Sequence, residues 1–181
     1  MHALTERELY EALTYAKSID RDAGAYILEQ FHQEQSAFAT TIFGIFPNVL
    51  AEQDIELSYL FMDLVFDVLC VFQNIFGPLP DQSDIDADWL DKQAFLLDAE
   101  LQSLMTNRDM EPKIRNKLQT RFVQRAKEDN PQIGLINYMN AAVDQFAIES
   151  SHSLEALQTT KALISVVIRL FGNLYSHTGN A

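Results

Sequence analysis

The segment that most restricts the fold is "LSYLFMDLVFDVLCVFQNIF", residues 57–76. At helical spacing Leu57, Leu60, Phe61, Leu64, Val65, Val68, Phe72 and Ile75 form one broad apolar face. Tyr59, Met62 and Phe66 extend apolar surface to the far side, leaving a narrow polar stripe of Glu56, Asp63, Asp67 and Asn74, with Cys70 beside it. A helix that is apolar nearly all round belongs at the centre of its fold or in an oligomer interface. Its two internal carboxylates argue against a bilayer span, and the other strongly apolar window, 162–175, is short and carries Arg169.

The rest of the chain keeps the same period. Helices are expected over 4–18, 20–46 (stopped or kinked by Pro47), 49–76 (closed by "GPLP" at 77–80), from Ser83 to 106, 112–128, from Pro131 onward, and 152–176. No segment alternates as a strand does, and 6 Gly and 5 Pro offer little turn material for an all-β fold. Short connections favour antiparallel neighbours. The expected fold is therefore all-α, a single-domain antiparallel bundle of six or seven helices over residues 1–181. The candidate break lies at 77–83, between helices 1–3 and helices 4–7. Helices over 57–76 and 154–175 should be the most buried. "LVFDVLCVFQNIF" (64–76) and "LISVVIRLFGNLY" (163–175) share the ending apolar-Phe-x-Asn-apolar-aromatic. Without matching similarity in the preceding helices, convergence of two core helices explains this better than duplication.

A formal charge of −13 argues against a general affinity for phosphate backbones. The single Cys70 cannot form an internal disulfide, and its apolar surroundings predict a reduced, buried thiol. The start "MHALTERELYEAL" lacks an apolar signal core, so a cytoplasmic location is expected. Positive charge is concentrated over 108–127, where seven basic residues meet only Asp109 and Glu111. The thin stripe Ile114, Leu118 and Phe122 predicts a surface helix there. Lys113, Arg115, Lys117, Arg121 and Arg125 are the candidate partner-binding residues. The competing reading has them neutralise acidic neighbours in this chain or a second copy. A helix-turn-helix reading fails because Asn130 and Pro131 occupy the tight turn and the next helix offers almost no base-reading cations.

Two Glu-x-x-His pairs, Glu29/His32 and Glu149/His152, have the spacing with which ferritin-like bundles hold two metal ions. Helical phase opposes that use. At about 100° per residue, Glu29 lies roughly 160° from the core stripe of its helix and His32 about 100°. By the same count Glu149 is about 80° off and His152 about 140° off, past or near the helix end. All four are read as solvated, and no metal site is favoured. If a metal were bound, the ligands to examine would be Glu56, Asp63 and Asp67 on the polar stripe, then His32 and Glu29. Glu34 falls within the core stripe of its helix. "SDIDADWLD" (83–91) imitates a calcium loop, but Trp89 stands where Gly is needed and Phe95 where a bidentate Glu is needed. Ser83 as a helix cap, with Asp84, Asp86 and Asp88 in the first turn, accounts for the same residues. No Ser-His-acid or Cys-His arrangement and no Gly-rich phosphate loop is present. The functional expectation is a cytoplasmic, acidic, non-enzymatic interaction or regulatory protein. It would need no cofactor, form a homodimer and bind a protein partner. The rival is a metal-binding helical bundle protein or enzyme.

Overall fold

A computed structural model describes residues 1–81, 85, 117, 131–149 and 151–178. Every regular element among them is helical. In chain order these are α1 (Glu6–Ser18), α2 (Arg21–Glu34), α3 (36–51), α4 (Ile55–Phe76), α5 (Ile133–Glu149) and α6 (Leu154–Thr178). The helices expected from Ser83 to 106 and over 112–128 lie outside the described residues. Within them only Ile85, buried, and Lys117, helical and exposed, are described.

Short polar side chains start the helices. Thr5 and Glu8 form a reciprocal capping box on α1, satisfying two backbone donors that the first turn leaves free. Asp20 caps α2 through the Ala23 N–H, and Asp54 caps α4 through the N–H groups of Glu56 and Leu57. At the other end of α4, Gly77 takes φ 89°, a left-handed conformation that side chains resist.

Two boundaries differ from the expectation. The helix predicted over 20–46 is divided at Gln35, whose backbone leaves the helical region (φ −137°, ψ 57°). Gln35 is fully buried and its side-chain amide donates to the Pro80 carbonyl, a tertiary bond that local periodicity cannot announce. Pro47 then fails to stop α3. Proline lacks an N–H and its ring crowds the carbonyl four residues back. Here Thr41–Ile45 immediately before it forms a π turn, and the Phe46 N–H bonds five residues back to the Thr41 carbonyl. The wider turn accommodates the ring, and the backbone stays helical from Ser36 to Ala51. Phe38, Ile42, Phe46 and Leu50, spaced by four, are all buried. In a regular α-helix each such step would drift about 40° round the axis. The chain turns at 52–54, where the N–H groups of Gln53 and Asp54 both bond the Leu50 carbonyl, so residues 49–51 belong to α3 rather than to α4.

α4 packs against α1, α3 and α6, while α6 also packs against α5 and α3. Among the described residues, the two helices expected to be most buried are the most enclosed: Ala162–Ile168 of α6 and Asp67–Phe72 of α4 are buried on every side. Full burial contributes about 1.5–3 kcal/mol for each large apolar side chain. Aromatic rings join the elements, with Phe72 on Phe171 at 5.4 Å, Phe171 against Phe31 at 5.7 Å and Phe76 against Tyr175 at 5.7 Å. The repeated ending of the two apolar segments acquires a packing meaning, because its equivalent rings meet: Phe72 with Phe171, and Phe76 with Tyr175. The Tyr175 hydroxyl donates to the Gly77 carbonyl at 2.8 Å, holding the break after α4 against α6. Among the described residues no helix is long and apolar enough to cross a membrane.

Candidate functional site

The acidic stripe of α4 separates into distinct environments. Asp63 is exposed. Partial burial raises its pKa, reinforced by Asp67 one turn away. Asp67 is buried and pairs with Lys17 of α1, Nζ to Oδ2 at 2.8 Å. The Lys17 side chain is 57% exposed, so it reaches the buried carboxylate while keeping contact with water. The hydrogen bond to Asp67 raises the pKa of Lys17, so the amine stays charged. Cys70, one turn further, is buried, and burial followed by the nearby Asp67 charge pushes its thiol up to about 12. Such a thiol is protonated at neutral pH and unreactive.

The first turn of α4 holds a different arrangement. Asp54 uses Oδ1 to cap α4 and Oδ2 to accept from His152 Nδ1 at 2.7 Å. His152 lies in the link between α5 and α6, and its side chain is only 3% exposed. Its ring stacks on Phe146 with centroids 5.2 Å apart. Nε2 is buried without a hydrogen-bond partner, and Glu56 Oε2 stands 4.0 Å from it. Burial by itself would raise the pKa of Asp54. The bonds from His152 and from the Leu57 and Glu56 N–H groups outweigh it and hold the carboxyl below its ordinary value. The Asp54 contact fixes the ring orientation and makes Nδ1 the donor. Nε2 is the ring atom that could bind a metal ion if Glu56 moved in to share it.

The remaining candidates are dispersed. Glu29 and His32 are both exposed on α2, and Glu29 accepts from Gln33. Glu34 is half-buried, and its charge adds to the burial that raises the pKa of Tyr175. Glu149 is exposed at the end of α5, as the phase count suggested. His152 does lie past that helix end, but it is buried rather than solvated, because the link folds it against the start of α4. Among the described residues no three His, Cys, Asp or Glu side chains converge in a way that could hold a metal ion. Of the basic candidates, Lys113, Arg115, Arg121 and Arg125 lie outside the described residues, and Lys117 is exposed.

Sequence reasoning passed over Asp54 and set His152 aside. Asp54 was recognisable as an Asp directly before the longest apolar run, a cap signal. Its partnership with a residue 98 positions away had no local signature. No family model matches this chain, and neither a curated protein nor a solved structure matches it.

Proposed function

We propose that the protein works by contact rather than by chemistry: a cytoplasmic, non-enzymatic interaction or regulatory protein, an antiparallel helical bundle that assembles as a homodimer and binds a protein partner. One observation carries the reading. Beside a well-filled core, large apolar side chains stand in solvent, among them Tyr10, Tyr26, Tyr59, Ile148 and Leu154. Concentrations of such residues beyond scattered single ones mark contact surfaces. The basic side chains Lys113, Arg115, Lys117, Arg121 and Arg125 add a second contact surface in this reading. The protonated Cys70 suits a reducing compartment.

The second reading, a metal-binding helical protein, is favoured by the unpartnered Nε2 of His152 beside Glu56. Native mass spectrometry of protein purified without chelator separates the two. A metal-free dimer is the expected result. Stoichiometric zinc, manganese or iron lost on His152→Ala would favour the second reading. Affinity capture tests the contact itself, since an exposed-residue variant such as Tyr10→Ser with Tyr26→Ser, or Ile148→Ser with Leu154→Ser, should lose specific partners. If neither variant changed the captured set, the interaction reading would fall.

A further inference from the structure

The Asp54–His152 hydrogen bond joins two places distant in sequence, the start of α4 and the turn between α5 and α6. Within five residues of one end of that bond or the other lie Ile55, Tyr59, Ile148 and Leu154, each half or more exposed. Ile55 and Tyr59 are one helical turn apart and share a face of α4. The charged residues interleaved with them are acidic: Glu56, Glu149 and Glu155 are all exposed. Neither 48–63 nor 131–160 contains a single Lys or Arg. The exposed apolar side chains of these two stretches are therefore interleaved with charge of one sign, and Lys161, next in sequence after the second stretch, is taken up by Asp144.

We infer that this corner docks a basic amphipathic helix of a partner protein. The inference rests on the interaction reading above and names its surface and partner chemistry. The helix's apolar stripe covers Ile55, Tyr59, Ile148 and Leu154, and its Lys and Arg side chains meet Glu56, Glu149 and Glu155. A second copy of this chain is a poor occupant, because a two-fold contact through the corner would set the same carboxylates against each other. Nucleic acid is repelled by the same charge. The buried His152–Asp54 bond holds the two halves of the surface together before binding, which lowers the ordering cost of association.

The test is fluorescence anisotropy of the full chain with a labelled Leu/Lys peptide of amphipathic helical spacing. A scrambled peptide of the same composition and a Leu/Glu version serve as controls. Ile148→Ser with Leu154→Ser, and Glu56→Gln with Glu155→Gln, should each weaken binding by about tenfold or more, as loss of anchor residues does. The distant pair Glu11→Gln with Tyr15→Ser should leave it unchanged. All the altered side chains are exposed, and unchanged melting temperatures verify folding. Equal binding of the scrambled peptide, or equal loss in the distant variant, would show only a general attraction to an acidic chain and overturn the proposal. So would absence of binding, or a homodimer that the corner variants dissociate in sedimentation, since a second copy would then be the occupant. A protein that ignores the peptide yet captures a partner through Tyr10 and Tyr26 would sink the corner and leave the interaction reading standing.

Discussion

Asp67 and Asp54 both sit on α4 and both bond a side chain of positive or potentially positive charge, yet the two pairs are built oppositely. Asp67 lies mid-helix within Asp67–Phe72, a stretch buried on every side, and its partner Lys17 brings a long flexible side chain from α1 that is more than half exposed. Asp54 lies at the helix start, where backbone N–H groups already stabilise its charge, and its partner is a short rigid ring nine-tenths buried. A lysine can neutralise a sunken carboxylate without being buried itself, and it retreats to water at little cost. A buried imidazole cannot retreat, so it must keep its partner. The first pair tolerates loss on one side only, and the second on neither.

Breaking the second pair should have the largest effect. Asp54→Ala removes a helix cap and strands the Nδ1 donor of His152, which together should cost about 3 kcal/mol. A urea midpoint unchanged from wild type would show that water enters and replaces Asp54. Next, Lys17→Met leaves Asp67 sunken and unpaired. The cost should be about 1.5 kcal/mol, reduced from that of a fully buried pair by the solvent exposure of Lys17. The reverse removal, Asp67→Asn, frees a lysine that is already wet and should cost only about 0.5 kcal/mol. Equal losses from Lys17→Met and Asp67→Asn would refute the asymmetry. The smallest effect concerns Asp63, whose raised pKa means that its charge opposes folding at neutral pH. Asp63→Asn should stabilise by about 0.3 kcal/mol, the scale of a like-charge repulsion one turn apart, and less in high salt.

Acid titration sharpens the same contrast through opposite signs. Asp54 is held below its ordinary range, so its contribution is complete above the unfolded value and disappears as pH falls through the folded one. Glu8 behaves alike: its bonds with the Thr5 backbone and hydroxyl hold it at about 2, so the α1 cap weakens between about pH 4.5 and 2. Asp63 is raised, so acidification through its folded pKa relieves a cost. Unfolding measured between pH 5 and 2 should therefore show a shallower acid loss in Asp54→Asn and a steeper one in Asp63→Asn.

The central place of α4 and α6 was readable from residues 57–76 and 162–175, because a helix apolar on most sides has nowhere else to go. The acidic stripe was readable too, but its chemistry was not. Whether Asp67 meets water, metal or lysine depended on Lys17, fifty positions earlier. Phase counting treated His152 as an extension of α5 and so as solvated. Once the chain leaves the helix, the 100° step has no meaning, and the direction of the ring is set by Asp54. Pro47 misled for a related reason: a rule about single α-helices met a segment with a wider turn before the proline.

That wider turn also has a consequence for chain length. The buried side chains Phe38, Ile42, Phe46 and Leu50 recur every four residues, and the π turn at Thr41–Ile45 keeps them in line. The count of residues there is therefore specified independently of their chemistry. Deleting Gly44, beside which even an added methyl would meet nothing within 4 Å, should do more harm than enlarging it. The deletion would rotate Phe46, Val49 and Leu50 by about 100° relative to Phe38. Among related sequences, this stretch should accept substitutions far more readily than insertions or deletions.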